Sequence, residues 1–259
     1  MMKNEELLYR GIIIRQANYG DAHRMLWIFT ETDGIIKAVR YGVRGKKTSN
    51  AAAFQMFSYA DYTLRPSNGD VMTATAAEVI DSFYPVSEDI KKLALASYLA
   101  DVTMGVLGEA NPDRRVLSLL LNAVYALSYR DVDLIKLKTV YELKLMCISG
   151  FMPNIGKCGC GEDGEYFSLQ KGTLLCKRHS SYEDVKINRD VASLMNYVIN
   201  CDDKKMLSFT VGDERILSEM NSITEKYIQV QCEVVCKSLT YFYSICAVSA
   251  SICGFGRFL

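Results

Sequence analysis

Cys158, Cys160, Cys176 and His179 are the side chains whose types and spacing best suit chemistry. They form two close pairs, Cys158-Gly-Cys160 and Cys176-Lys-Arg-His179, at the ends of the stretch CGCGEDGEYFSLQKGTLLCKRH. Tetrahedral zinc takes four nitrogen or sulfur ligands, usually as two pairs from two turns. The second pair has good spacing. The first is one residue short of the usual C-x2-C, but Gly159 and Gly161 leave the backbone free to turn both sulfurs inward. Between the pairs, EYFSLQKGTLLC reads as a short hairpin with Gly172 at its turn. One structural zinc per chain is therefore expected, with no ligand position left open for catalysis. Three other readings stay open. A Cys158–Cys160 disulfide would be strained. A Cys–His nucleophile pair would need an orienting group and an oxyanion site. The last is coincidence, with the four residues unliganded.

The second candidate is a run of positive charge. Lys37, Arg40, Arg44, Lys46 and Lys47 lie between Gly34 and Lys47 without one acidic residue. On a strand and its following loop, such a run can track a phosphate backbone, each neutralised phosphate releasing counterion. Trp27, Tyr41, Phe54 and Tyr62 are nearby aromatics. Each is expected in the core, with stacking on unpaired bases as the alternative. His23, in YGDAHRM, reads as a loop histidine with no thiol or acid at a recognisable spacing. No Walker A loop, dinucleotide glycine pattern, H-E-x-x-H or G-x-S-x-G occurs in the chain. The residues point to a binder and not to an enzyme.

These groups need elements to position them. LLYRGIIIRQ, RMLWIFTE, IIKAVRYGVRG, FSYADYTLRPS and VMTATAAEVIDSF are five strand candidates ending by Phe83, joined by turns such as TDG and NGD. Five strands in so short a stretch suggest a small closed barrel, most commonly OB-type. After YPVS the period changes from two to 3.6. Ser87 is expected to cap a helix showing Ile90, Leu93, Ala94, Ser97 and Tyr98 on one face. Asn111 is expected to cap a second helix with Pro112 first inside it. A third carries Leu134, Leu137, Tyr141 and Ile148 and stops at Gly150. Helices resume in RDVASLMNYVI and DERILSEMNSITEKYIQ. The fold class is α+β: a barrel at 1–83, then a helical domain at 84–259 with a zinc-binding insertion at about 151–182.

Bulk properties narrow the setting. The chain has 259 residues and a formal net charge of zero, so nucleic-acid binding must come from a local patch. Its nine cysteines follow no framework spacing, and MMKNEELLYRGIII is no secretory signal. A cytoplasmic address and reduced thiols or metal ligands follow. Ser238 to Gly256 carries no charge, yet it holds four serines, a threonine and two tyrosines. A buried or sticky tail at about 238–259 is expected there, not a membrane span.

The order of motifs resembles bacterial RecO recombination-mediator proteins. GIIIRQANYGDAHRMLWIFTETDGIIKAVRYGVRGKK is similar to their start, with a YGDA turn, FT, a DG turn and a basic end. AAFQMFSYADYTL, DIKKLALASYLAD and YELKLMCISGFMPNIGKCGCG resemble the later segments, so the likeness runs from about Tyr9 to Leu239. The resemblance implies an OB barrel, a helical domain and an inserted zinc element. It also implies binding of single- and double-stranded DNA and annealing of complementary strands. The implied partners are RecR, the tail of single-strand-binding protein and, indirectly, the RecA recombinase, in a nucleoid-associated setting without membrane. A zinc-stabilised OB-fold RNA-binding module of translation or ribosome assembly is the rival from another class.

Overall fold

The computed structural model describes residues 5–42, 51–67, 69–108 and 111–254. Five strands close into a barrel: β1 (Leu7–Tyr19), β2 (His23–Thr30), β3 (Ile35–Arg40), β4 (Tyr59–Arg65) and β5 (Val71–Asp81). Their order around the barrel is β1-β2-β3-β5-β4, and β3 with β5 is the only parallel pairing among them. This is the OB-type arrangement expected from the strand count.

Strand β1 closes the barrel by pairing with β4 in its first half and β2 in its second. At the handover, Gly11 pairs with Thr30 on one side and Ala60 on the other. A Cβ there would stand 2.4 Å from the Phe29 carbonyl oxygen, so the crossing admits only glycine. A bulge follows between Ile13 and Arg15, which lets three successive isoleucines, Ile12 to Ile14, all be buried. The interior is filled by Ile13, Leu26, Ile28, Ala38, Tyr62, Leu64 and Ala74, and one end is plugged by Phe54 from the short 3-10 turn Ala51–Phe54.

The helices are α1 (Pro85–Glu88), α2 (Ile90–Leu107), α3 (Arg114–Tyr129), α4 (Leu134–Ile148), α5 (Arg189–Asn200), α6 (Glu214–Cys232) and α7 (Lys237–Gly254). Their starts differ from the expected caps. Ser87 lies inside the single turn α1 and donates to the Tyr84 carbonyl, while Asp89, in extended backbone, accepts from the N–H groups of Lys91 and Lys92. Asp113, not Asn111, caps α3 by accepting from Arg115 and Val116. A carboxylate completes the cap and meets the positive helix end, which favours it where two capping residues compete. Ile90 is exposed, not part of the buried face of α2.

The chain divides into two compact units, 1–131 with 236–259, and 132–235. In the first, α7 packs on α2 and buries Phe242 completely. No helix among the described residues is long and apolar enough to cross a membrane.

In the second unit, α4 packs on α6 around charge. The fully buried Lys138 ammonium lies 2.7 Å from Glu142 and 2.6 Å from Glu225. It also donates to Asn221 at 2.9 Å, and the Thr224 hydroxyl donates to the second oxygen of Glu142 at 2.6 Å. A buried pair of this kind adds little net stability but fixes one register of two helices, because any other strands a charge in apolar surroundings.

Candidate functional site

The Cys/His segment folds as a three-stranded sheet, β7-β6-β8, from β6 (Tyr166–Ser168), β7 (Thr173–Leu175) and β8 (Val185–Lys186). Gly172 forms the hairpin turn with φ +61°, as the sequence predicts. Pairing of Tyr166 with Leu175 sets Cys176 at the open end of the hairpin, opposite the Cys158–Cys160 turn. That turn is closed by the Gly161 N–H donating to the Cys158 carbonyl and the Cys158 N–H donating to the Glu162 carbonyl, with Gly161 at φ +89°. The second turn is closed by the His179 and Ser180 N–H groups, which both donate to the Cys176 carbonyl.

The ligand atoms converge. His179 Nδ1 stands 3.4 Å from both Cys158 Sγ and Cys176 Sγ, and Cys160 Sγ stands 3.7 Å from Cys176 Sγ. All four ligand atoms lie within 4.8 Å of one another. A tetrahedral ion with bonds of about 2.0 to 2.3 Å needs ligand separations of about 3.4 to 3.8 Å. The shortened first pair therefore still turns both sulfurs inward, and the four side chains can hold a metal ion. Among the described residues the sulfurs are free thiols, not a disulfide. Four donors facing a common centre suit a cation better than a nucleophile with one base.

The electrostatics agree with ligation. Backbone N–H groups of Cys160 first and Cys176 second hold the Cys158 thiol down to about 6, toward the thiolate that a metal binds. Burial pushes the Cys176 thiol up. The Arg178 guanidinium faces the sulfurs of Cys160 and Cys176 and is itself paired with Glu162 at 2.7 Å. Three thiolates around a divalent ion would leave one net negative charge, which this cation would offset.

The hairpin is clamped by α6, a support the sequence reading missed. Tyr227 donates to the Phe151 carbonyl at 3.1 Å and meets the Phe167 ring at 5.4 Å. Gln231, one turn later, donates to the carbonyls of Leu169 (2.6 Å) and Gln170 (2.9 Å). A Cβ on Gly172 would come within 2.3 Å of the Tyr227 hydroxyl, so the turn and the helix touch as closely as glycine allows. The four-residue spacing of Tyr227 and Gln231 was the available signal, since it puts both on one helix face.

The structure separates two members of the basic run. Lys37 and Arg40 are three residues apart on β3 and so lie on opposite faces. Arg40 is turned to the plugged end of the barrel. Its guanidinium lies 4.5 Å from the centre of the Phe54 ring and donates to the carbonyls of Ala74 (3.1 Å) and Thr75 (2.7 Å). Lys37 faces outward and lines a cavity of about 440 Å³ with Tyr9, Asp33, Asp70 and Met72. Arg44, Lys46 and Lys47 lie outside the described residues. Of the four aromatics, Phe54 and Tyr62 are core as expected, while Trp27 is only half-buried and Tyr41 is exposed. His23 begins β2 instead of sitting in a loop; its Nδ1 accepts from the Gly42 N–H at 3.3 Å.

A closed OB-type barrel followed by helices and a Cys3His cluster on a small hairpin define an α+β protein that carries a barrel and a metal-type element in one chain. Residues 2–83 match the family model for the N terminal of recombination protein O, and residues 87–240 match that for its C terminal. The DNA repair protein RecO of Acetivibrio thermocellus is 31% identical over 229 residues, covering 86% of this chain and 90% of that protein. That of Alkaliphilus metalliredigens is 29% identical over 231 residues, covering 87% and 93%. That of Rubrobacter xylanophilus is 32% identical over 173 residues, covering 65% and 69%. The chain belongs to the recombination protein O family, and its place is in DNA repair and recombination.

Proposed function

We propose that this protein is a recombination mediator that binds single- and double-stranded DNA and anneals complementary strands. With RecR it would help load RecA onto DNA coated by single-strand-binding protein, whose tail it would also bind. The observation that carries this reading is the family match over both the barrel and the helical part. The outward Lys37 and the basic residues that follow β3 support it, since OB barrels bind oligonucleotides across this part of the fold. The role is that of a binder acting in the cytoplasm at the nucleoid, with no reaction of its own.

The ion at Cys158, Cys160, Cys176 and His179 is zinc in this reading, because three sulfurs and one imidazole at tetrahedral spacing suit it. It would hold the hairpin closed and supply no chemistry. Binding of DNA and RNA oligomers of one sequence, compared over a salt series, tests the function. DNA should bind with a steep salt dependence, and complementary DNA strands should anneal faster with the protein than without. Preference for RNA, or no acceleration, would overturn the reading.

A further inference from the structure

The register of the barrel sets three side chains from three strands in one outward row. Arg15 on β1 is paired with Trp27 on β2, and Trp27 with Lys37 on β3. The row continues to Val71 on β5, and Asp33 and Asp70 line the cavity beside Lys37. Elsewhere on β1 and β4 the arginines are neutralised: Arg10 binds Asp61 through two nitrogens at 2.7 and 2.8 Å, and Arg65 meets Glu6 at 2.9 Å. Among the described residues Arg15 makes no ion pair; its guanidinium lies 5.3 Å from the centre of the indole. The rows on either side are apolar, Ala17–Met25–Val39 and Ile12–Phe29–Ile35.

A half-buried indole on a sheet surface, with the Arg15 guanidinium 5.3 Å from its centre and Lys37 as its cross-strand partner, has the makings of a stacking site. Trp27 is the chain's sole tryptophan. Further along the same face of β2, the His23 ring meets the exposed Tyr41 ring edge-on at 4.7 Å. Four residues of strand separate the two aromatic points, about 13 Å, room for a short run of nucleotides.

We propose that Arg15, Trp27 and Lys37 form a platform on which an unpaired DNA base stacks on the indole while its flanking phosphates meet the two cations. This rests on the DNA-binding reading above and deepens it. Bases in a duplex are already stacked on one another and present no free face, so the platform favours single strands. It is tolerant of sequence, because every base has a π face. On binding, the Arg15 guanidinium leaves the ring to the base and turns to the phosphate.

Because there is one tryptophan, its fluorescence reports on the platform directly. An oligothymidylate and a duplex of equal phosphate content would be titrated into the full-length protein, with binding followed in parallel by anisotropy of labelled DNA. Strong quenching by the single strand, and little by the duplex, is the expected result. Trp27→Ala should then weaken single-strand binding roughly tenfold and leave duplex binding unchanged, while Trp27→Phe keeps most of the affinity. Should the single strand bind by anisotropy with the indole emission unchanged, the platform is wrong and DNA binding stands. If neither DNA raises the anisotropy, the DNA-binding reading falls and the platform with it. The wild-type titration decides even if a variant folds poorly.

Discussion

The barrel and the Cys/His hairpin are both small sheets, and they are held together by opposite means. The barrel has no free edge, and a continuous apolar interior from Ile13 to Ala77 fills it. The hairpin has strands of three, three and two residues, and its own buried cluster is Cys158, Leu175 and Cys176. A sheet this small cannot bury enough apolar surface to offset the entropy of ordering it. The clamp of Tyr227 and Gln231 supplies part of its stability, and an ion held by the four ligands would supply the rest. The unit that carries it also relies on specific polar joints, with Lys138 between Glu142 and Glu225. Apolar burial tolerates change by degrees, whereas a joint of charges or ligands fails when one member goes.

The largest effect should follow loss of the metal. Structural zinc contributes on the order of 10 kcal/mol to the folding of small elements. A strong chelator, or Cys176→Ser, should open the hairpin to protease around residues 158–180 and leave the barrel resistant. Protein purified without added metal should contain about one equivalent of zinc. A folded, protease-resistant hairpin with less than about a tenth of an equivalent would break the comparison.

Next in size is the buried charge joint. Lys138→Ala removes the cation that Glu142 faces inside the second unit, a loss of about 3 to 5 kcal/mol. Chemical denaturation should show it, and Lys138→Met paired with Glu142→Leu should recover much of it. A single variant as stable as the parent would mean that this unit tolerates change as the barrel does.

Within the barrel, Arg40→Ala removes two donations to the carbonyls of Ala74 and Thr75 and a stacked guanidinium. It should cost about 2 kcal/mol in a thermal melt. The effect falls on stability, so DNA binding by the folded remainder should change less than with Lys37→Ala. The reverse ranking would move the phosphate contacts to the plugged end.

The smallest effect concerns acid. The Arg115 side chain first, with the backbone N–H groups of Arg115 and Val116, holds the Asp113 carboxyl below its usual range. A depressed carboxyl stabilises the fold above its unfolded pKa of about 4 and loses that contribution as pH falls through the lower folded value. Asp113→Ala should cost about 1 kcal/mol at neutral pH and less once the carboxyl is protonated, when only a neutral oxygen accepts from the helix. Melts in a series from pH 7 downward measure the difference; a loss that stays equal across the series would show that the cap is not electrostatic.

Much of this was legible in the residues. The turn signals and alternation marked all five barrel strands, and the two Cys/His pairs marked the four converging ligands. What escaped depended on contacts between distant segments. Ser87 and Asn111 read as caps because a better acceptor two residues on looks the same to a local pattern. The buried joint of Lys138 and Glu142 went unread, since nothing near them in the chain announces that α6 covers them. Trp27 read as core from its aromatic ring alone, although its place between the inward Leu26 and Ile28 of β2 sets it on the outer face. The separation of Lys37 from Arg40 follows from strand alternation alone and was available once β3 was placed.

The central claim is that the barrel holds DNA and the metal element supports structure. The most direct measurement is the salt dependence of single-stranded DNA binding by three proteins: the parent, Lys37→Glu with Arg44→Glu and Lys46→Glu, and Cys176→Ser. The charge variant should melt as the parent does, bind more weakly at every salt concentration, and lose roughly 0.7 from the slope per phosphate contact removed. The Cys176→Ser protein should keep the parent slope. An unchanged slope in the charge variant, with the slope lost in Cys176→Ser instead, would contradict the account and place the DNA on the metal element.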